Sequence, residues 1–247
     1  MSIQSAAELA GLRRIGRIVR TALDRMAAAV RPGATTAELA EIGGKTLWEF
    51  GAESSPQRVY GFPGAVCISV GDEAIHGIPG GRVIRSGDLV KLDLTADKNG
   101  FVADAAVSVI AGEPGETAIA LLRCAERAFR EGARAARAGN RVYEIGRSVE
   151  REVKQSGFRV MRSLAGHGVG RTIHEEPTVP NYYDRSFRTR LTEGLVITIE
   201  PIISAGAGRE KMLSDGWTVA TADGALAAHY EHTLVITRGA PILLTAA

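Results

Sequence analysis

Apolar residues recur at helical spacing from Leu9 through Leu12, Ile15, Ile18, Val19, Leu23 and Met26. Ser5 and Glu8 just upstream form a capping-box pattern, so the chain is expected to open with a long amphipathic helix ending near Arg31-Pro32-Gly33. Thr35 and Glu38 repeat the box, predicting a second helix to about Phe50, closed by Gly51. Between Val59 and Ile110 the texture becomes β-rich, in the runs VCISV, RVIRSGDLVKLDLTA and GFVADAAVSVI separated by Gly-Asp, Pro-Gly-Gly and Lys-Asn-Gly turns. Helical periodicity returns over 115–138 and 142–156, and a second β-rich stretch runs from Phe158 to Leu244.

The two halves echo one another. RPGATTAELA at 31–40 and RAGNRVYEIG at 137–146 share one pattern at an offset of 106 residues, and Gly51 and Gly157 are separated by the same 106. Helices followed by strands, written twice over roughly 31–110 and 137–237, predict two halves about a pseudo-twofold axis with any shared site between them.

That symmetry gives meaning to acidic residues placed inside strands. In LVKLDLT, Val90, Leu92 and Leu94 share one face and Lys91, Asp93 and Thr95 the other. Acidic residues are poor strand formers, and Asp104 sits in an equally apolar strand. If the turn centres between Lys98 and Asn99, Asp93 faces Asp104 directly; if Asn99-Gly100 is the loop, the pair is diagonal. The second half repeats the anomaly with Glu200 in LVITIEP and Glu231 in HYEHTLVIT. Any one of these acids alone reads best as a surface residue or an arginine partner. Four that converge on one axis need cations or protons. Hard carboxylate oxygens favour divalent metals, and two ions sharing bridging carboxylates are a common hydrolytic arrangement.

Five histidines are available. His167 lies in AGHGVGR, whose glycines disfavour a helix and let backbone approach whatever the imidazole binds, a setting that suits a metal ligand. His174, seven residues on, cannot form a helical HExxH pair with it and is better placed as a hydrogen-bond donor. His76 belongs on a loop at a strand end, His232 points away from the face of Glu231, and His229 shares that face.

Composition narrows the class. The chain has 247 residues, 45% apolar and 23% charged, with a net charge of +2, too balanced for an obligate nucleic-acid binder; transient ribosome contact stays open. Cys67 and Cys124 form no CxxC pair, which excludes a disulfide scaffold and suits a reducing compartment. No run approaches the ~20 apolar residues of a membrane helix, and a cytoplasmic protein is the expectation.

IHGIP at 75–79, the LDLT strand with a second Asp eleven residues on, GHGVGRTIHEEP at 166–177, TIEP at 198–201, DGWT at 215–218 and YEHT at 230–233 together resemble the type I methionine aminopeptidases. The resemblance covers nearly the whole chain. It implies an α+β pita-bread fold shared with creatinases and prolidases, with antiparallel sheet inside, helices outside, and 1–247 as one catalytic domain. It further implies that Asp93, Asp104, His167, Glu200 and Glu231 hold two divalent ions (Co, Mn, Fe or Zn), with Asp104 and Glu231 bridging. His76 and His174 match substrate-contacting histidines, and Cys67, Phe62 and Trp217 fall where the family builds its methionine pocket.

The implied reaction removes methionine from nascent N-termini, preferring a small second residue, through a hydroxide bridging the two ions. Glu200 would carry the proton, and His174 would polarise the carbonyl. A monomer is implied. Ile173 stands where many members carry an aromatic, and residues 61–64 replace a more polar stretch. Prolidases and aminopeptidases P usually carry a sizeable domain ahead of the catalytic one, whereas about ninety residues precede Asp93 here. A type II enzyme would have an insertion between His174 and Glu200, where 25 residues lie. A metal-free binding paralogue would be expected to have lost ligands.

Overall fold

The computed structural model describes residues 1–246. At its centre the ten-residue strands Leu89–Lys98 and Phe101–Ile110 pair antiparallel across the loop Asn99-Gly100. Both loop residues have positive φ, 55° and 73°, the type I′ geometry that Asn-Gly favours. Centring the turn between Lys98 and Asn99 would instead have forced Lys98 into the left-handed region. The register therefore pairs Asp93 with Ala106 and Asp104 with Thr95. The directly opposed arrangement of Asp93 and Asp104 is not adopted: they are diagonal neighbours on one face, the other register open in the sequence.

This hairpin lies within a nine-stranded antiparallel sheet. Along the sheet the order is Glu53–Ser54, Leu89–Lys98, Phe101–Ile110, Glu231–Val235, Val196–Ile199, Ala165–Gly168 and Glu175–Pro180. Cys67–Val70 adds to Leu89–Lys98, with Cys67 directly opposite Asp93, and Ile242–Leu243 adds to Glu231–Val235. The halves join where Glu231 pairs with Ala106.

Strand alternation sends one face outward to helices and the other inward. Helices Ala6–Ala29 and Thr36–Glu49 cover Val90, Leu92 and Leu94. Helices Glu116–Ala135 and Val142–Gln155 cover Ile197, Ile199 and Leu234 in the same way. Thr36–Glu49 and Val142–Gln155 are each 14 residues long, and in each a first-turn glutamate, Glu38 or Glu144, accepts from the backbone N–H of the residue just before the helix. Gly51 and Gly157 beyond them both take left-handed φ, 59° and 83°. The pseudo-symmetric halves thus share their helical frame. Each half packs its own core between helices and the outer face of the sheet, leaving the polar inner face to line a cavity.

A short helix, which no sequence pattern signalled, precedes the β-rich stretch and overlaps its expected start at Val59 and Tyr60. Residues Ser55–Tyr60 form a short helix with Pro56 in its first turn, ended by Gly61 at φ 70°. Six residues are too few to display an apolar period. No helix of the described residues is long and apolar enough to cross a membrane.

Candidate metal centre

Five strands adjacent in the sheet each deliver one of the expected ligands. In sheet order these are Asp93, Asp104, Glu231, Glu200 (one residue beyond Val196–Ile199) and His167. Alternation explains their common direction: each occupies the strand face opposite the residues packed under the helices. All five line one cavity of about 250 Å³. His167 Nε2 lies 3.8 Å from Asp104 Oδ2 and 3.6 Å from Glu200 Oε1. Thr198 Oγ1 accepts from the His167 backbone N–H at 3.0 Å and donates to Glu200 Oε1 at 2.9 Å, so one hydroxyl ties two of the expected ligands together. The tight glycines beside His167 have a packing reason: a Cβ on Gly166 would lie 2.7 Å from the Thr198 carbonyl oxygen, and one on Gly168 2.1 Å from that of Glu176.

The electrostatics are severe. Asp104, Glu200 and Glu231 are buried, and Asp93 is half-buried against Cys67. Among the described residues no lysine or arginine pairs with any of the four acids; their only ionic neighbours are His167 and His229. Burial raises Asp93 well above the usual carboxylate range, and Asp104 adds to it. Glu200 and Glu231 are raised likewise, by burial first and then by the neighbouring acids. Asp104 is pushed up to about 6 by burial, against a hydrogen bond with Thr95 that opposes the rise. Burial also keeps His167 and His229 uncharged near neutrality, His229 at about 3.

Asp104 Oδ1 and Glu231 Oε1 are buried without a hydrogen-bond partner. Ligand atoms of Asp104, His167 and Glu231 all lie within 4.8 Å of one another. Orphaned hard oxygens beside a neutral imidazole, with no countercharge, are a donor set that fits a divalent metal ion.

Around this centre stand the remaining expected residues. His76 and His174 line the same cavity. The His174 ring packs against that of His167 at 4.3 Å between centroids. His76 sits at φ 58°, a left-handed conformation unusual for a non-glycine residue, on the loop after Glu73–Ile75. Phe62 and Trp217 meet edge to face at 5.3 Å, and with Cys67, Ile75 and Ile173 they form the apolar wall. The DGWT motif has a local cause. Asp215 Oδ1 accepts from the backbone N–H groups of Trp217 and Thr218, each at 2.8 Å, fixing the turn that presents the indole. Burial and the adjacent Asp93 push the Cys67 thiol well above its ordinary range, so it contributes a neutral, soft surface.

Two residues were beyond sequence reasoning. Tyr60, on the unforeseen short helix, bonds its hydroxyl to His174 Nδ1 at 2.6 Å across 114 positions of chain, and no local pattern signals it. His229 was assigned only to the face of Glu231; its ring proves to be enclosed among the acids, whereas His232 is a core residue bonded to Thr245 and Tyr230.

The sequence pattern of metallopeptidase family M24 matches residues 10–238. Methionine aminopeptidase 2 of Bacillus subtilis is 44% identical over 247 residues, covering 99% of each chain. The methionine aminopeptidase of Clostridium perfringens is 41% identical over 95% of this chain and 94% of its own. Among solved structures, methionine aminopeptidase from Thermotoga maritima superposes with a TM-score of 0.96 at 32% identity, each chain covered completely. Prolidase from Pyrococcus furiosus shares the fold at a TM-score of 0.81 and 24% identity, but only 65% of that longer chain is covered. Fold and matches together define a metal-dependent hydrolase of peptide bonds. The chain belongs to metallopeptidase family M24 and, within it, to the methionine aminopeptidases.

Proposed function

We propose that the protein removes the N-terminal methionine from nascent polypeptides in the cytoplasm, acting as a monomeric type I enzyme and preferring a small second residue. The observation that carries this reading is the convergence of Asp93, Asp104, His167, Glu200 and Glu231, from five neighbouring strands, on one enclosed space without countercharge. These residues would hold two divalent ions, and the whole chain works as one catalytic unit. Bound there, the pair of ions would supply a hydroxide nucleophile near neutral pH.

The chain's own groups do the rest. Glu200 lines the cavity where the peptide bond would lie, so its carboxylate can accept a proton and return it to the leaving amine. Its bond from Thr198 holds the carboxylate in place. His174 donates from Nε2 to the carbonyl oxygen of the scissile peptide; Tyr60, by donating to Nδ1, selects the tautomer that carries the proton at Nε2. His76 positions the peptide. The unbranched methionine side chain fills the wall formed by Cys67, Phe62 and Trp217, where its polarizable sulfur meets aromatic rings and a thiol.

The test uses metal-replete protein and peptides that differ at the first two positions. Met-Ala-Ser should be cut to free methionine, faster than Met-Leu-Ser, while Leu-Ala-Ser should persist. Failure to cut Met-Ala-Ser would leave a binding paralogue as the better description.

A further inference from the structure

His229 ends the strand Ala227–His229, outside the five neighbouring strands that deliver the acids and His167. Its backbone is clamped by one hydroxyl: Ser108 Oγ accepts from the His229 N–H at 3.1 Å and donates to its carbonyl oxygen at 2.8 Å. The ring is 1% exposed, lines the metal-centre cavity, and has no hydrogen-bond partner at either nitrogen. Burying an imidazole with both nitrogens unsatisfied costs free energy, so the position needs a reason. Nε2 points between two acids, 3.6 Å from Glu231 Oε2 and 3.9 Å from Glu200 Oε2. Those separations exceed a hydrogen bond by well under about 1 Å.

We propose that His229 is a positioning residue of the metal centre, whose Nε2–H lies against Oε2 of both Glu231 and Glu200 and so fixes how the two carboxylates are presented to the cavity. The inference rests on the metal assignment above. It distinguishes two imidazoles that flank the acids at similar distances. His167 shares with Asp104 and Glu231 a set of ligand atoms all within 4.8 Å of one another, close enough to surround one ion; His229 belongs to no such set among the described residues. His167 is delivered by the same sheet as the four acids, whereas His229 reaches them from a strand of another sheet, and on that difference His167 is assigned as the nitrogen ligand and His229 as a donor to ligands. Groups that hold a ligating carboxylate or imidazole in place typically contribute 10- to 100-fold to metal affinity.

The experiment titrates Mn2+ into metal-stripped full-length protein by calorimetry and records the visible spectrum of the Co2+-loaded form. Three variants are compared: His229→Gln, whose amide nitrogen can occupy the place of Nε2; His229→Asn, whose shorter side chain cannot; and His229→Leu. Melting of the metal-free forms controls for folding. Affinity should fall about 10- to 100-fold in His229→Asn and His229→Leu, and stay close to the parent in His229→Gln with its cobalt spectrum unchanged. Should His229→Leu fail to fold, the Gln and Asn variants decide alone. Parent-like affinity in His229→Asn would reduce the ring to packing. A weak His229→Gln with an altered spectrum would make His229 a direct ligand and overturn the proposal. A parent that takes up no ions would defeat the metal assignment itself, a result separable from either of these.

Discussion

The two halves of the molecule set acids into the same cavity by different means. The first half uses a long regular hairpin, with Asp93 and Asp104 in mid-strand and the short side chain of Asp enough to reach inward. The second half uses strand ends. Glu200 follows Ile199 just before Pro201 breaks the pairing, and Glu231 opens its strand after the interruption at Tyr230. Strand ends bring the longer Glu and leave room for nitrogen, so His167 and His229 both flank the second-half acids. The first half adds Cys67, directly opposite Asp93, and Phe62, which packs on Trp217 of the second half to complete the apolar wall. Pseudo-symmetry thus accounts for the frame, and departures from it divide the labour: both halves contribute to the apolar wall, but the imidazoles beside the acids come from the second half alone.

The sharpest way to break this comparison is at the seam. Asp104→Asn removes a charge that both halves share, and should lower kcat/KM by several kcal/mol, on the order of 10³-fold or more, with metal content falling in parallel. An active, metal-replete Asp104→Asn would mean the halves do not depend on a common centre. Next in size is His174→Ala, expected to reduce kcat by about 10²- to 10³-fold with metal content unchanged. Loss of metal in that variant would make His174 a ligand rather than a donor. Tyr60→Phe should act through the same ring more weakly, lowering kcat by roughly 10-fold or less with KM held. A change in KM alone would assign Tyr60 to substrate contact.

Metal removal sharpens the comparison through pH. In the metal-free protein Asp104 has a folded pKa of about 6, above its ordinary 3.8, and Asp93, Glu200 and Glu231 are raised further. Raised carboxyl values mean that these four groups bind more protons in the folded than in the unfolded state, so their contribution to stability is fully present at low pH and is lost as pH rises from about 4 through 6 and beyond. Bound cations cancel that repulsion. The melting-temperature gap between loaded and stripped protein should therefore widen from pH 5 to pH 8. A constant gap would show that the acids do not share one field.

The smallest effect concerns the hairpin itself. Gly100 lies at φ 73°, where a Cβ is strained even though nothing crowds it. Gly100→Ala should cost roughly 1 kcal/mol in denaturant unfolding, and a neutral result would weaken the argument that the turn sets the register.

Much of this architecture was legible before any coordinates. The helix caps Ser5 and Thr35 with their glutamates, the 106-residue echo and the alternation of Val90, Leu92 and Leu94 against Asp93 lie in local pattern. The hairpin register was readable only as a choice between two turns, because Lys98-Asn99 and Asn99-Gly100 compete until the positive φ of Gly100 decides. The short helix Ser55–Tyr60 and the Tyr60–His174 bond were invisible, since the helix is too short for periodicity and the bond joins residues far apart in sequence. His229 lies between these cases: alternation placed it on the right face, but only packing encloses its ring among the carboxylates.

Anomalous diffraction at the manganese edge from Mn2+-loaded crystals would test the central claim most directly. Two peaks inside the ring formed by Asp93, Asp104, His167, Glu200 and Glu231 are the expected result. An empty ring, or ions found only on the outer surface, would contradict it.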